Sequence, residues 1–276
     1  MRGEWGSRSS PSEFSEFDEV PARLAMALVT TKAIVLKSMR WGEADRILTF
    51  YSLQMGKVRG IARGARRMKS RFGGMLEPFS FINLTFFDKR NDSLGSISHV
   101  DSLESFSPLR ESLDLIWAAS RMVALVDGVT ADRDSNPTIY HTLLEGLRSL
   151  VQTDDPGLLT LIFQIHVLSH SGFQPQVDRC ASCGRDLEEQ HSRFSPSAGG
   201  RLCASCDRGS WDYCLPMSQG SMAFLRQAPR IPFTRATRLK ATGRVRREVE
   251  TIVETYARSV VGKRLPEKEP LAMAGK

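Results

Sequence analysis

The sequence predicts an α+β protein of more than one domain: a small five-stranded β-barrel, then an α-helical domain carrying a four-cysteine metal module. Three observations predict it. β-Branched and alternating runs crowd residues 29–103, apolar residues at helical spacing dominate from Pro108 onward, and two C-x2-C pairs interrupt the helical part. The boundaries read as a tail at 1–26, a barrel at 27–107, and a helical domain at 108–276 with the metal module at 178–215.

Within the barrel, Val29–Ser38 is β-branched with polar interruptions, Arg46–Leu53 is a second run and Gly56–Ala62 a third. Glu77–Phe87 alternates, with Ile82, Leu84 and Phe86 on one face and Phe79, Phe81, Asn83 and Thr85 on the other. Leu94–Val100 closes the set after the polar turn Lys89-Arg90-Asn91-Asp92. Five short strands in this length fit an OB-fold, although strand count alone does not separate it from another small barrel or sandwich.

Helical spacing then links Leu109, Leu113, Ile116, Val123 and Leu125. Asn136-Pro137 announces a second helix, because proline at the first helical position forfeits no hydrogen bond; Ile139, Leu143, Leu147 and Leu150 follow. A third helix is expected from about Pro156 to His170. Near the end, Val245, Val249, Ile252, Tyr256 and Val260 form one stripe with charges opposite, and Gly262 and Pro266 supply the stop.

The first 25 residues are Ser-, Glu- and Gly-rich without an apolar segment. They read as a tail outside the fold or as sequence ahead of a start at Met26, and not as a signal peptide. The longest apolar run, Leu158–Phe163, falls far short of the ~18 residues needed to span a bilayer. A cytoplasmic, nucleoid-associated location is expected.

In a cytoplasmic setting spaced cysteines point to metal rather than disulfides. Cys180-Ala-Ser-Cys183 and Cys203-Ala-Ser-Cys206, 19 residues apart, can place four thiolates at the corners of a tetrahedron around one zinc ion. Four thiolates close the coordination sphere, so the zinc is expected to be structural. A redox CxxC needs only one pair, and the sequence lacks the H-x-E partner of a zinc deaminase. Arg179, Arg185 and Arg201 lie close enough in sequence to offset the charge of the centre. Cys214 reads as a small buried residue, and His191 as a reserve ligand the motif does not need.

The net charge of +7 is concentrated: Val29–Met75 holds 11 Lys/Arg against Glu43 and Asp45, which is +9 and leaves −2 for the rest. Such a confined basic field is a partner-binding signal, with nucleic acid the commonest partner, and a solvated basic surface is the alternative. The segment Gly60–Gly74 imitates a phosphate-binding P-loop around Gly64 and Lys69-Ser70, but Met68 stands where the second glycine belongs and the spacing is one residue short. What remains is a glycine-flanked loop presenting Arg63, Arg66, Arg67, Lys69 and Arg71, with Lys32, Lys37, Arg40 and Arg59 extending the track. Small residues let backbone approach phosphates, and guanidinium groups can grip their oxygens in pairs. Trp41, Phe50, Tyr51, Phe72 and Phe79 lie nearby as candidate stacking groups, of which Phe50 and Phe79 also suit a core. Trp41 and Phe72, set among polar and glycine neighbours, are the expected stacking platforms for single-strand bases.

The chain resembles the RecO family of bacterial DNA repair proteins from about Ala27 to Leu265. The resemblance rests on Lys32-Ala-Ile-Val-Leu-Lys37, the Gly42-Glu43-Ala44-Asp45 turn, the Gly60–Phe79 block with its Arg63-Gly-Ala-Arg66 core, and Gly172-Phe-Gln-Pro175 leading into the cysteines. The segment before Met26 and the tail after Pro266 depart from it. The resemblance implies an N-terminal OB-fold, a helical C-terminal domain and a zinc module found in one branch of the family. It further implies binding of single- and double-stranded DNA, annealing of complementary strands, and loading of RecA with RecR onto DNA coated by single-strand binding protein, whose C-terminal tail would be contacted. No catalytic residue is implied.

Two other classes compete. A zinc-ribbon transcription regulator reading duplex DNA would need a recognition helix, for which Arg235–Arg247 is the candidate. A nuclease or nucleotidyl transferase would need paired carboxylates for Mg2+; Asp132 with Asp134, or Glu188 with Glu189, lack the accompanying Lys or His chemistry.

Overall fold

Alternating β-branched and aromatic residues give the N-terminal part strands that bury one face, and the chain closes them into a barrel. The computed structural model describes residues 27–88, 94–187, 193–208, 213–236 and 239–266. The N-terminal tail, the Lys89–Asp92 turn, Glu188, Glu189 and His191 lie outside these. Strands β1 (Ala27–Trp41), β2 (Asp45–Ser52), β3 (Gly56–Ala62), β4 (Phe81–Asp88) and β5 (Gly95–Glu104) form an OB-like closed barrel in the order β1-β2-β3-β5-β4.

β1 is long because it serves two neighbours in turn, pairing with β4 over residues 27–34 and with β2 over residues 33–41. A bulge between Val35 and Lys37 bends it between the two. At the bend the Val35 carbonyl accepts the Phe79 N–H (2.8 Å) and the Val35 N–H bonds the Ser80 carbonyl (2.9 Å). Phe79 has φ 76°, so extended pairing starts only at Phe81, later than the alternation from Glu77 suggests. Ile82, Leu84 and Phe86 point inward with Ala33, Val35, Leu48, Phe50 and Val58, as the alternation requires.

The barrel is not self-sufficient. β3 meets β5 through Gly60 and Ile61 alone, and the edge from Gly56 to Arg59 is covered by a segment of the helical domain. There Lys57 bridges to Asp132, and the Arg133 N–H donates to the Lys57 carbonyl at 2.9 Å. Gly56, at φ 63°, sits so close that a Cβ would overlap the Asp134 carbonyl, so only glycine fits.

The remainder is helical: α1 (Leu113–Val129), α2 (Pro137–Gln152), α3 (Pro156–His170), α4 (Ala204–Arg208), α5 (Gln219–Gln227), α6 (Phe233–Ala236) and α7 (Gly243–Val261). Asn136 and Asp155 cap α2 and α3 by accepting the Ile139 and Leu158 N–H groups. α3 is buried continuously from Leu159 to Leu168, as befits a central helix apolar on all sides. α7 lays its stripe, centred on Val249, Ile252 and Tyr256, over that core and ends at Gly262 in the left-handed conformation. No helix among the described residues is long and apolar enough to cross a membrane.

Ile34, Leu36, Tyr51, Phe79 and Phe81, on the outside of the barrel, belong to the same apolar cluster as Leu109, Met122 and Leu143. One outer face of the barrel is thereby sealed. The face of β1, β2 and β3 beyond the bulge stays open.

Between α3 and α5 the cysteine segment folds on a three-stranded sheet ordered β7-β6-β8, from β6 (Arg193–Ser195), β7 (Gly200–Leu202) and β8 (Leu215–Pro216). Phe194 anchors it edge-to-face on Tyr256 of α7, with ring centroids 5.7 Å apart.

Candidate nucleic-acid face and metal centre

The open face is built by strand register. Lys37 of β1 lies opposite Thr49 of β2, which lies opposite Arg59 of β3; the next row is Met39, Ile47 and Ile61. Trp41 ends β1 opposite Asp45 and is 56% exposed; Met39 is equally bare. Cations thus flank an apolar strip on the strands 1–3 surface, the kind of surface that OB-folds use for oligonucleotides. Met39 and Ile47 were not singled out from the sequence, where they pass for core.

The basic loop joins this face through a corner of hydrogen bonds. The Gly64 N–H donates to Asp45 Oδ1 at 2.8 Å and the Arg66 N–H to the Ala44 carbonyl at 2.9 Å. The Arg66 guanidinium donates to the Gly42 and Glu43 carbonyls at 3.3 and 3.0 Å. The loop is therefore tied to the β1–β2 turn. Arg63, Arg67 and Lys69 remain exposed on it, and Met68 stands fully bare at its tip.

Several expectations change. Phe72 is not a platform: it is 1% exposed in the barrel core, where the 3-10 turn at Gly73–Leu76 folds its ring inward, and only the Arg71 guanidinium lies over it at 4.9 Å. Lys32 is exposed, but it pairs with Asn83 and is separated from Lys37 along β1 by the buried Ile34 and Leu36. It does not continue the track. Lys37 and Arg59 are present on the face but already engaged. Lys37 Nζ lies 2.5 Å from Asp127 Oδ2 and Arg59 3.2 Å from Asp132 Oδ2. Arg40 is exposed opposite Arg46, whose guanidinium is held by Glu77 at 2.9 Å. Lys57, counted in the basic field, is buried and donates to the Asp127 and Thr130 carbonyls at 2.8 and 2.7 Å.

The four cysteine sulfurs Cys180, Cys183, Cys203 and Cys206 lie within 4.8 Å of one another. Cys183 and Cys203 Sγ are 3.8 Å apart. That matches the edge of a tetrahedron with arms of about 2.3 Å, the zinc–thiolate length, and far exceeds a disulfide bond of ~2.05 Å. Burial opposes ionisation of Cys180, yet the backbone N–H groups of Cys183, Cys203 and Ser182 outweigh it and bring its pKa down to about 6. Cys206 is instead pushed up to about 12, chiefly by its hydrogen bond with Cys203. Four adjacent thiols cannot all ionise side by side unless a cation sits among them, so the donor set fits a thiophilic divalent ion. Cys214 is buried beside them with Leu202, as a small apolar residue. Arg201 turns its guanidinium to the Val177 carbonyl and Met222 sulfur, and Arg179 pairs with Asp186.

The candidate recognition helix is not formed as one piece: α6 ends at Ala236 and α7 begins at Gly243. The Asp132 carboxylate faces Arg59 and Lys57, a structural environment rather than a Mg2+ pair.

Comparison with known proteins covers nearly the whole described chain. Residues 26–106 match the family model "Recombination protein O N terminal" and residues 110–269 match "Recombination protein O C terminal". The chain is 36% identical to the DNA repair protein RecO of Rubrobacter xylanophilus over 212 residues, 76% of this chain and 84% of that one. It is 33% identical to the DNA repair protein RecO of a Roseiflexus species over 244 residues, 88% and 83% of the two chains. With that of Desulforamulus reducens it shares 31% over 244 residues, 88% and 94%.

Proposed function

The chain belongs to the Recombination protein O (RecO) family of DNA repair proteins, and from that premise we propose that it is a recombination mediator acting by binding DNA rather than by catalysis. The observation that carries the reading is the open barrel face, where exposed Trp41 and Met39 lie between cations and join the basic loop through the Asp45–Arg66 corner. Arg63, Arg67, Lys69 and Arg71, with Lys37 and Arg59, neutralise the phosphates of a single strand, and Trp41 offers its ring to a base; Arg40, which alternation turns to the other side of β1 with Arg46, stands outside this row. Such a grip is blind to sequence, because phosphates carry no sequence information. It suits annealing: once the charge of each strand is compensated, base pairing supplies the specificity. Duplex DNA is held by the same cations through its backbone.

In this reading the four-cysteine centre holds one zinc ion as scaffolding, since four thiolates leave no position open for a reacting water. The action is cytoplasmic. Its partners are RecR, the C-terminal tail of single-strand binding protein on the apolar surface of the helical domain, and RecA as the protein whose loading is assisted.

The test is the triple variant Arg63→Ala, Arg67→Ala, Lys69→Ala, which spares Arg66 because that residue also holds the corner together. Single-strand affinity should fall, and the slope of log affinity against log salt should become shallower by about 2, at roughly 0.7 per lost phosphate contact. Unchanged affinity and slope would remove the loop from the binding face.

A further inference from the structure

We propose that Asp132 is an internal competitor for the DNA strand, a carboxylate of the helical domain that occupies Arg59 on the open barrel face until a nucleic-acid phosphate displaces it. The proposal rests on the DNA-binding reading above and concerns how that face is regulated.

Two helical-domain carboxylates reach the Lys37–Thr49–Arg59 row, and they differ in kind. Asp127, at the end of α1, has a side chain only 10% exposed and is shared by Lys37, Lys57 and Lys263 at 2.5, 3.7 and 3.3 Å. One carboxylate among three lysines is an interdomain tie, and its removal would leave Lys57 buried with part of its compensation gone. Asp132 is 51% exposed; it lies 3.5 Å from the buried Lys57, which Asp127 and two carbonyls also hold, and 3.2 Å from Arg59, which is 55% exposed. Its pair with Arg59, open to water on both sides, is weak and is exchanged easily for another anion.

Its position, however, is fixed. The backbone of Asp132 is bridged to Lys57 on the β3 edge, Arg133 is held by Asp88, and Gly56 seats against Asp134. Asp132 therefore stands as a permanent anion at the rim of a groove of about 370 Å3, which Met39, Ile47, Arg59, Leu94 and Arg133 also line. The groove has the composition of a nucleotide subsite, with an apolar floor and a cationic rim, and the anion already in place resembles a phosphate in charge.

The consequence is measurable in affinity. A phosphate that takes Arg59 must first displace Asp132, and the lost ion pair is subtracted from what the contact contributes. Without the carboxylate nothing is displaced. Asp132→Asn should bind single strands about 2–5-fold tighter at low salt, the range of an exposed ion pair, an advantage that shrinks as salt screens the pair. Asp132→Ser, equally uncharged, should do the same, and neither should gain anything in an Arg59→Ala background. A gain confined to one of the two substitutions, or one that persists without Arg59, would overturn the proposal. If Arg59→Ala weakens binding while both Asp132 variants bind like the unmodified chain, the DNA-binding face stands and the competitor falls. If neither Arg59→Ala nor the loop triple variant changes binding, the reading of the face fails, and the competitor with it.

Discussion

His166 and Lys57 are titratable side chains kept from water by opposite means. Lys57 is buried but surrounded by two carbonyls and two carboxylates, so its charge is compensated at every side. His166, 3% exposed on α3, packs edge-on against Phe233, and its Nε2 has no hydrogen-bond partner among the described residues. Burial first and the neighbouring His170 second lower its pKa to about 4, against a partial offset from the Ala228 backbone. It is therefore neutral in the folded chain and takes up a proton more readily when unfolded. The stability this gives is complete above the unfolded pKa near 6.5 and is lost as pH falls toward 4. Between pH 7 and 5.5 this residue alone should cost about 1 kcal/mol, a fall in Tm of about 2–4 °C in a domain of this size. His170, also lowered by burial, acts in the same direction. Thermal melts at the two pH values check this; His166→Gln should flatten the dependence, and an equal slope in the variant would refute the assignment.

At the scale of elements, the β1–β2 turn and the loop after β3 are the two halves of one hydrogen-bonded corner, closed by Asp45 to Gly64 and Arg66 to Gly42 and Glu43. Charge and geometry make opposite forecasts here. Removing Asp45 takes a negative charge from a basic face, which by electrostatics alone should tighten DNA binding. The corner says that the loop then loses its anchor, so Asp45→Ala should weaken binding to single strands, and an affinity titration decides by sign alone. The corner was only half legible in the sequence. The strands, α3 and the stripe of α7 follow from hydrophobic period, and the two cysteine pairs from spacing. Phe72 reads as exposed because Arg71 and Gly73 beside it are polar or small, whereas its burial is decided by a 3-10 turn that periodicity cannot reveal. Met39 and Ile47 carry no signal in the sequence because exposure on the outside of a barrel depends on the bulge at Val35, and Lys57 reads as part of the basic field because its partners lie some seventy residues further on. The small sheet β6–β8 is invisible to periodicity because its strands have two or three residues each, too short to show alternation.

Across the whole molecule, three units are stitched into one apolar core: the barrel through Ile34, Leu36 and Phe81, the helices, and the metal module through Phe194 and Leu215. Among the described residues the module's own core is Cys180, Leu202 and Cys214 with a few neighbours, a small core for three short strands, which the proposed zinc ion would reinforce. If the cysteines hold zinc as proposed, a chelator should therefore lower the melting temperature and expose Phe194, while single-strand affinity, which the proposed function assigns to the barrel face, should stay as it was. Parallel calorimetry and binding titrations check both, and a matching loss of affinity would show the centre to be coupled to the DNA face. The seam along β3 has a consequence of another kind, in time rather than in space. The barrel's last strand ends at Glu104, yet the segment that covers the edge from Gly56 to Arg59 is complete only near Asn136. At ordinary rates of translation the ribosome needs about 2–6 seconds to add those residues. For that interval the nascent chain carries an unpaired strand edge and a bare apolar flank, the features that seed aggregation.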